Sequence, residues 1–260
     1  PIPDLLKEYI TQAYHENETN YPAANGMPAL REAVSQFLRK KGNLEVDANR
    51  IVISGGARPL IYAVFQTLID PGDVVLFPLP SWNNNHYCHL SRANSIAIET
   101  SAANNFMPVA ADIQPHLDKV NLIALCSPLN PTGTVFPKEN LEEICEMVVR
   151  ENEQRRKDSR KPVYIMFDQI YWTLTYGETK HYDPVSICPA IEPYCIYIDG
   201  ISKAFCATGV RVGWAFGPQH IINKMASILT HIGAWAPKAE QVATAHYLQH
   251  VDAIDDFQTE

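Results

Sequence analysis

A chain of 260 residues with 46% hydrophobic and 19% charged content is long enough to bury a sizeable core and is composed like a soluble globular protein. Its net charge of −8 argues against nucleic acid or an anionic membrane surface as partner. No apolar run approaches the ~20 residues that a membrane-spanning helix needs. The six cysteines, Cys88, Cys126, Cys145, Cys188, Cys195 and Cys206, form no C-x-x-C pair and read as reduced core thiols of a cytoplasmic protein.

In chain order, the pattern predicts a helix over 3–14. Pro28 can sit in the first turn of a second helix running to about 41, with Leu30, Val34, Phe37 and Leu38 on one face. A short strand over 51–54 runs into Gly55-Gly56-Ala57-Arg58, which opens an apolar helix to 69. Strand, glycine turn and helix start make a physical anion site. N–H groups point outward, the helix dipole favours negative charge, and glycine lets an oxyanion come close. An ordinary turn is the alternative. A strand over 74–77 follows, with Trp82 just past its end, either exposed there or a core tryptophan. His86 and His89 lie on polar sequence with no third ligand at metal spacing, and read as loop or surface residues.

Strands are predicted over 95–98 and 121–126. The second is apolar throughout, hence central, and ends in Asn130-Pro131-Thr132-Gly133. An amphipathic helix spans 138–157. The basic stretch 150–161 mixes Arg155, Arg156, Lys157, Arg160 and Lys161 with acids and reads as a solvated helix end and loop. A buried strand over 163–167 is followed at once by Asp168 and then Tyr171. A carboxylate there is costly unless it has a partner or caps the next turn. Residues 172–193 read as loop and lead to a strand over 194–198.

Lys203 follows in a loop, with Arg211 eight residues later and Gly200, Gly209 and Gly213 around them, suited to tight turns or close backbone approach. A lysine at the carboxyl end of a buried α/β strand is placed to meet a ligand, and lysine is the residue that forms Schiff bases. The alternative is an exposed Lys and Arg in an ordinary loop. A strand over 213–216, a helix from 217 to about 229 and another over 239–249 complete the pattern. His246 and His250 stand four residues apart without a metalloprotease acid between them and read as solvated. Strands alternating with helices imply an α/β fold with a mostly parallel sheet. A dinucleotide-binding domain is disfavoured because no G-x-G-x-x-G follows the first strand.

Gly200-x-Ser202-Lys203, with Arg211-x-Gly213 after seven further residues, resembles the lysine signature of the class I and II aminotransferases, pyridoxal-phosphate enzymes of fold type I, typified by aspartate aminotransferase. Tyr21 with Gly26, Leu30 and Arg31, the Gly56–Arg58 turn, Trp82, Asn130-Pro131-Thr132-Gly133, and Asp168 with Tyr171 resemble the family's other signatures, in the family's order. Gln169 stands where the family usually has Glu.

The resemblance implies a three-layer αβα large domain with a mostly parallel seven-stranded sheet carrying one antiparallel strand. It implies an N-terminal segment over 1–20, the cofactor-binding domain over 21–250, and over 251–260 the start of a connection to a C-terminal small domain that is absent here. It implies pyridoxal 5'-phosphate as cofactor, bound to Lys203, with Asp168 at its ring nitrogen, Tyr171 and Asn130 at its ring oxygen, and Trp82 on one ring face. Ser202, Arg211, Gly56, Ala57 and Arg58 would hold the phosphate, joined by Tyr21 from the partner subunit of a homodimer. The implied reaction is a ping-pong transfer, through aldimine and ketimine stages, between an amino acid (aspartate or a broad range) and a 2-oxo acid. The substrate-carboxylate arginine is expected in the small domain. A carbon–sulfur β-lyase and a cofactor-sensing domain of a transcription regulator remain the alternatives.

Overall fold

The computed structural model describes residues 1–259. Its helices are α1 (Asp4–His15), α2 (Pro28–Gly42), α3 (Ala57–Leu68), α4 (Asn84–Ser91), α5 (Ala110–Ile113), α6 (Lys138–Lys157), α7 (Pro184–Ile187), α8 (Ile201–Ala204), α9 (Gln219–His231), α10 (Lys238–Tyr247) and α11 (Val251–Thr259). Its strands are β1 (Ile51–Ser54), β2 (Val74–Leu79), β3 (Asn94–Glu99), β4 (Val120–Cys126), β5 (Tyr164–Asp168), β6 (Cys195–Gly200) and β7 (Gly213–Phe216). They form one seven-stranded sheet in the order β1-β7-β6-β5-β4-β2-β3. The expected seven-stranded, mostly parallel sheet is the one observed. By contacts the chain divides into two units: the first takes Pro1–Ala63 and everything from Ile198 onward, the second Val64–Tyr197.

In the first unit, β1 pairs antiparallel with β7, from Ile51 opposite Phe216 to Ser54 opposite Gly213, and both strands are fully buried. Burial on both faces explains why they read as unbroken apolar runs. Helix α2 starts with Pro28 at its first position and stops at Asn43, which adopts a left-handed φ of 52°. Arg39, Lys40 and Lys41 sit in its last turn, where positive charge complements the helix dipole. Its buried face is Leu30, Ala33, Val34, Phe37 and Leu38. Helix α1 buries Leu6 and Ala13 and packs on α10. His246 and His250 are exposed yet engaged: the ring of Tyr9 lies 5.3 Å from His246 and 5.9 Å from His250, and its hydroxyl is 2.8 Å from His250 Nε2. The pair is solvated as expected, with the Tyr9 ring tilted against His246 and stacked on His250. Near the other end of the unit, Lys41 pairs with Asp255.

In the second unit, β2 runs parallel to both β3 and β4, and β4 parallel to β5. Strand β2 reaches two residues past the predicted end because its register with β3 continues from Pro78 opposite Ile98 to Leu79 opposite Glu99. His86 and His89 are exposed but lie in a helix, α4, which buries Tyr87 and Cys88 beneath them. Segment 172–193 is not all loop. Asp183 Oδ1 caps α7 by accepting from the Ser186 N–H at 3.0 Å and from the Tyr197 hydroxyl at 2.8 Å, and a 3₁₀ turn, Pro189–Tyr194, follows.

The basic stretch is the solvated helix end and loop expected, with one exception, Arg155. Arg155 is buried, 2% exposed. Its guanidinium donates to Glu151 at 2.6 Å and to the carbonyls of Lys161 (2.9 Å), Leu117 (2.7 Å) and Asp118 (3.1 Å). Arg160 adds a pair to Asp118 at 2.7 Å, and Lys161 pairs with Asp70 at 2.9 Å. Arg155 alone is spent inside the unit; Arg156, Lys157 and Arg160 are exposed.

Candidate active site

The lysine stretch belongs to the first unit. Strand β6 is buried along its whole length and hands over directly to α8, a single helical turn that carries Ser202 and Lys203. The loop predicted around Lys203 is thus a helical turn. Phe205 holds it in place: the ring is fully buried, 5.1 Å from Tyr247 and 6.4 Å from Phe37. Ser202 is buried at 8% exposure, and Lys203 is half-buried. No sequence motif singles out Phe205; its signal is only that a large aromatic follows the lysine.

Arg211 meets the glycine turn. Its guanidinium donates to the Gly55 carbonyl at 2.6 Å and to the Thr208 carbonyl at 2.9 Å, and these bonds hold a non-glycine residue at a φ of 64°. A Cβ built on Gly56, where φ is +95°, would lie 2.1 Å from Arg211 Nη2. A Cβ on Gly213 would lie 2.7 Å from the Gly56 carbonyl carbon. Two of the glycines named from sequence therefore allow an arginine and two backbones to converge on one point, as the signature requires. Gly209 differs, since nothing lies within 4 Å of its Cβ position.

One expectation about the turn needs correcting. The Gly55 and Gly56 amides do not face outward as a pair. Gly55 N–H donates to the Ala234 carbonyl at 2.8 Å and Gly56 N–H to the Ser54 carbonyl at 2.7 Å. The groups that could donate to an anion there are the first turn of α3, which starts at Ala57, and the side chains of Ser202 and Arg211. Arg58 is the second residue of that turn and is exposed. Tyr21 is 83% exposed, with its ring edge-on to Trp235 at 5.3 Å.

A second cluster belongs to the other unit. Strand β5 is buried to Phe167 and ends on Asp168, which stands in register with Cys126 at the end of β4. Asp168 Oδ1 accepts from the Ile170 N–H at 3.1 Å, so the cap expected as the alternative is present and leaves the second oxygen out of that contact. Burial raises the Tyr171 hydroxyl above the usual phenol range; Cys126 and Asp168 nearby add to this, and a hydrogen bond with Asn130 opposes it. Asn130, Asp168 and Tyr171 thus share one end of the parallel β4–β5 pair. Trp82, past the end of β2, is 50% exposed and so is not the core tryptophan of the alternative reading.

Taken separately, the two sets offer different chemistry. The first offers an arginine, a buried hydroxyl and a helix start at a point where a side chain on Gly56 would collide, which is a cradle for a phosphate. The second offers a carboxylate for a protonated ring nitrogen, and an amide and a phenol for a ring oxygen. No group of three or more His, Cys, Asp or Glu that could hold a metal ion occurs among the described residues.

The sequence profile described as aminotransferase class I and II matches residues 1–260. The aspartate aminotransferase of Bacillus sp. YM-2 is 28% identical over 258 residues, and the aspartate/prephenate aminotransferase of Thermus thermophilus is 28% identical over 257 residues. Each alignment takes 98% of this chain and 63% of the relative, so the chain spans less than two thirds of their length. Among solved structures, Thermus thermophilus aspartate aminotransferase with maleate superposes with a TM-score of 0.91 at 28% identity, over 99% of this chain and 64% of that one. An aromatic aminotransferase from Pyrococcus horikoshii OT3 superposes with a TM-score of 0.90 at 26% identity, over all of this chain and 68% of that one.

Proposed function

We propose, since this chain belongs to the class I and II aminotransferases, that it is the cofactor-binding part of a pyridoxal-phosphate-dependent aminotransferase that moves an amino group from an amino acid to a 2-oxo acid. The convergence of Gly56, Gly213 and Arg211 on one point supports this reading most strongly, because an ordinary turn would have no reason to exclude a single methyl group there.

When bound, pyridoxal phosphate supplies an electron sink for the negative charge that develops at the substrate Cα. In this reading Lys203 is its point of attachment. The amine of Lys203, when not holding the cofactor, would be the base that takes the proton from the substrate Cα. Phe205 keeps α8 seated in the core, so that base returns to one position. Arg211 provides planar, bidentate donation to the phosphate, and Ser202 adds a hydroxyl. Asp168 stabilises a protonated ring nitrogen, which makes the sink effective. Tyr171 and Asn130 hold the ring oxygen. Trp82 would offer its ring to one face of the cofactor. A homodimer completes the reading, with the exposed Tyr21 ring reaching the phosphate of the partner's site. The relatives' names make aspartate and prephenate the first substrates to try.

The test is the absorbance spectrum of the full-length protein with pyridoxal phosphate. A visible band is expected in the wild type, bleached by the true amino donor, with Lys203→Ala lacking the lysine-bound band. Ammonia and pyruvate as products would assign a lyase instead. A band that no amino acid alters would assign a sensor.

A further inference from the structure

We propose that Cys126 is a positioning residue for the cofactor ring. Its thiol pegs the turn that carries Asn130, and so fixes the donation that Asn130 and Tyr171 make to the ring oxygen. The inference rests on the pyridoxal-phosphate reading and adds to it a residue that in sequence reads as one more reduced core thiol.

Cys126 is the last residue of β4 and stands in register with Asp168, the last of β5. It is half-buried at that end. The chain turns at once. The Ser127 N–H donates to the Asp168 carbonyl at 3.0 Å, and Pro128-Leu129-Asn130-Pro131 follows. Its two prolines leave that tetrapeptide only two backbone N–H groups, those of Leu129 and Asn130. The Leu129 N–H donates across the turn to the Thr134 carbonyl at 2.8 Å. The Asn130 N–H is directed at the Cys126 sulfur. The thiol in turn donates to the Pro128 carbonyl at 3.2 Å. One side chain therefore both accepts from the turn and donates to it, and ties Asn130 to the end of the strand. Sulfur is a weak partner in either role, yet shielded backbone groups must be met by something, and here the thiol meets two of them.

The peg is linked onward to the ring oxygen. The Asn130 side chain hydrogen-bonds the Tyr171 phenol in the sense that favours its ionised form, so the amide donates. A phenol oxygen that accepts from Asn130 turns its own proton away from Asn130, in the sense needed to donate to a ligand. A shift of the Asn130 backbone would therefore disturb two donors together. Asp168 and Tyr171 are the titratable groups beside the thiol. Burial and the Asp168 carboxylate hold Cys126 well above the ordinary thiol range, against the opposing Asn130 N–H. It stays a neutral S–H at neutral pH and adds no second negative charge next to Asp168.

The experiment uses the full-length protein with pyridoxal phosphate and follows the visible lysine-bound band as a function of pH. Donors to the ring oxygen hold its negative charge, so a ring that loses them keeps the proton on the neighbouring lysine linkage to higher pH. In Cys126→Ala, and in the volume-matched Cys126→Val, the midpoint is expected to rise by about one pH unit, the scale of one charge-assisted hydrogen bond. Cys126→Ser can still accept and donate, and stays within about 0.3 pH unit of wild type. In an Asn130→Ala background, adding Cys126→Ala moves the midpoint no further, because the peg acts through Asn130. A midpoint that neither Cys126→Ala nor Cys126→Val moves overturns the proposal and leaves the cofactor reading standing, even if both variants melt at lower temperature, since that is the signature of a purely structural role. So does a shift that is as large in the Asn130→Ala background as in the wild type. A wild type with no visible band refutes the cofactor reading, and the proposal falls with it.

Discussion

Three glycines of the lysine stretch look alike in sequence and differ in what surrounds them. Gly213→Ala would press a methyl group onto the Gly56 backbone, with Ala57 N at 2.9 Å as a second obstacle. Backbone cannot rotate aside as a flexible side chain can, so we expect a loss of about 1–3 kcal/mol in urea unfolding and a matching loss of cofactor affinity. Gly209→Ala meets open space and should stay within about 0.5 kcal/mol of wild type. At the same scale, His181 carries a pH dependence. Its two ring nitrogens are shielded and unpartnered, between Phe167 at 5.9 Å and Trp172 at 6.2 Å. Burial lowers its pKa from 6.5 to about 4, and Asp183 only partly opposes this. The folded chain therefore resists a proton that the unfolded chain accepts. The stability tied to neutral His181 is present above pH 6.5 and is lost as pH falls from there towards about 4, up to roughly 3 kcal/mol. His181→Phe should flatten that part of the stability-versus-pH curve; an unchanged slope would show that other groups set it.

At the scale of elements, Arg155 separates what a sequence pattern carries from what it does not. The helix it belongs to was legible to the residue, because α6 has the right period, an acidic first turn at Glu139 and a basic last turn. Its inward direction was not legible. The carbonyls that receive it belong to Leu117 and Asp118, in a turn 38 and 37 residues earlier in sequence, and no local rule links the two. Arg155→Ala would leave the Leu117 carbonyl without its buried donor and the Asp118 carbonyl and Glu151 with Arg160 alone, at a cost of about 3 kcal/mol in thermal or urea unfolding. Arg155→Lys should recover little, since one ammonium cannot reach acceptors on several sides as a planar fork does. The candidate site behaved differently. Lys203, Arg211, Asp168 and Asn130 were all visible because each stands at the end of an apolar strand or inside a glycine-marked turn. Phe205 was not, because its importance lies in what it touches, the rings of Tyr247 and Phe37.

For the whole molecule, the seven strands and their mostly parallel pairing followed from the alternation of apolar runs with helical periods. The division into two units did not. Its borders fall between Ala63 and Val64, inside α3, and between Tyr197 and Ile198, inside β6, where no composition shift marks them. Cleavage at those borders would have to break a helix and a buried strand. Limited proteolysis should instead strike 176–180, where every residue is exposed and Tyr176 is 70% exposed. A first tryptic cut at Lys180 that leaves the circular dichroism spectrum intact is the expected result, and a first cut within α3 would contradict it.

That same division bears on how the chain is made. The ribosome releases residues 1–63 before 64–197, yet α10, on which both α1 and α2 pack, comes only after Ile198. All of Val64–Tyr197 must be synthesised in between, which at ~5–20 residues per second takes about 7–27 s. Through that interval Leu30, Val34, Phe37 and Leu38 form an apolar stripe without the surface it will cover. The second unit, continuous in sequence, has no such wait. Nascent chains stalled before residue 198 should therefore hold the N-terminal helices in the keeping of a holdase chaperone, and release them only once β7 and α10 have left the exit tunnel.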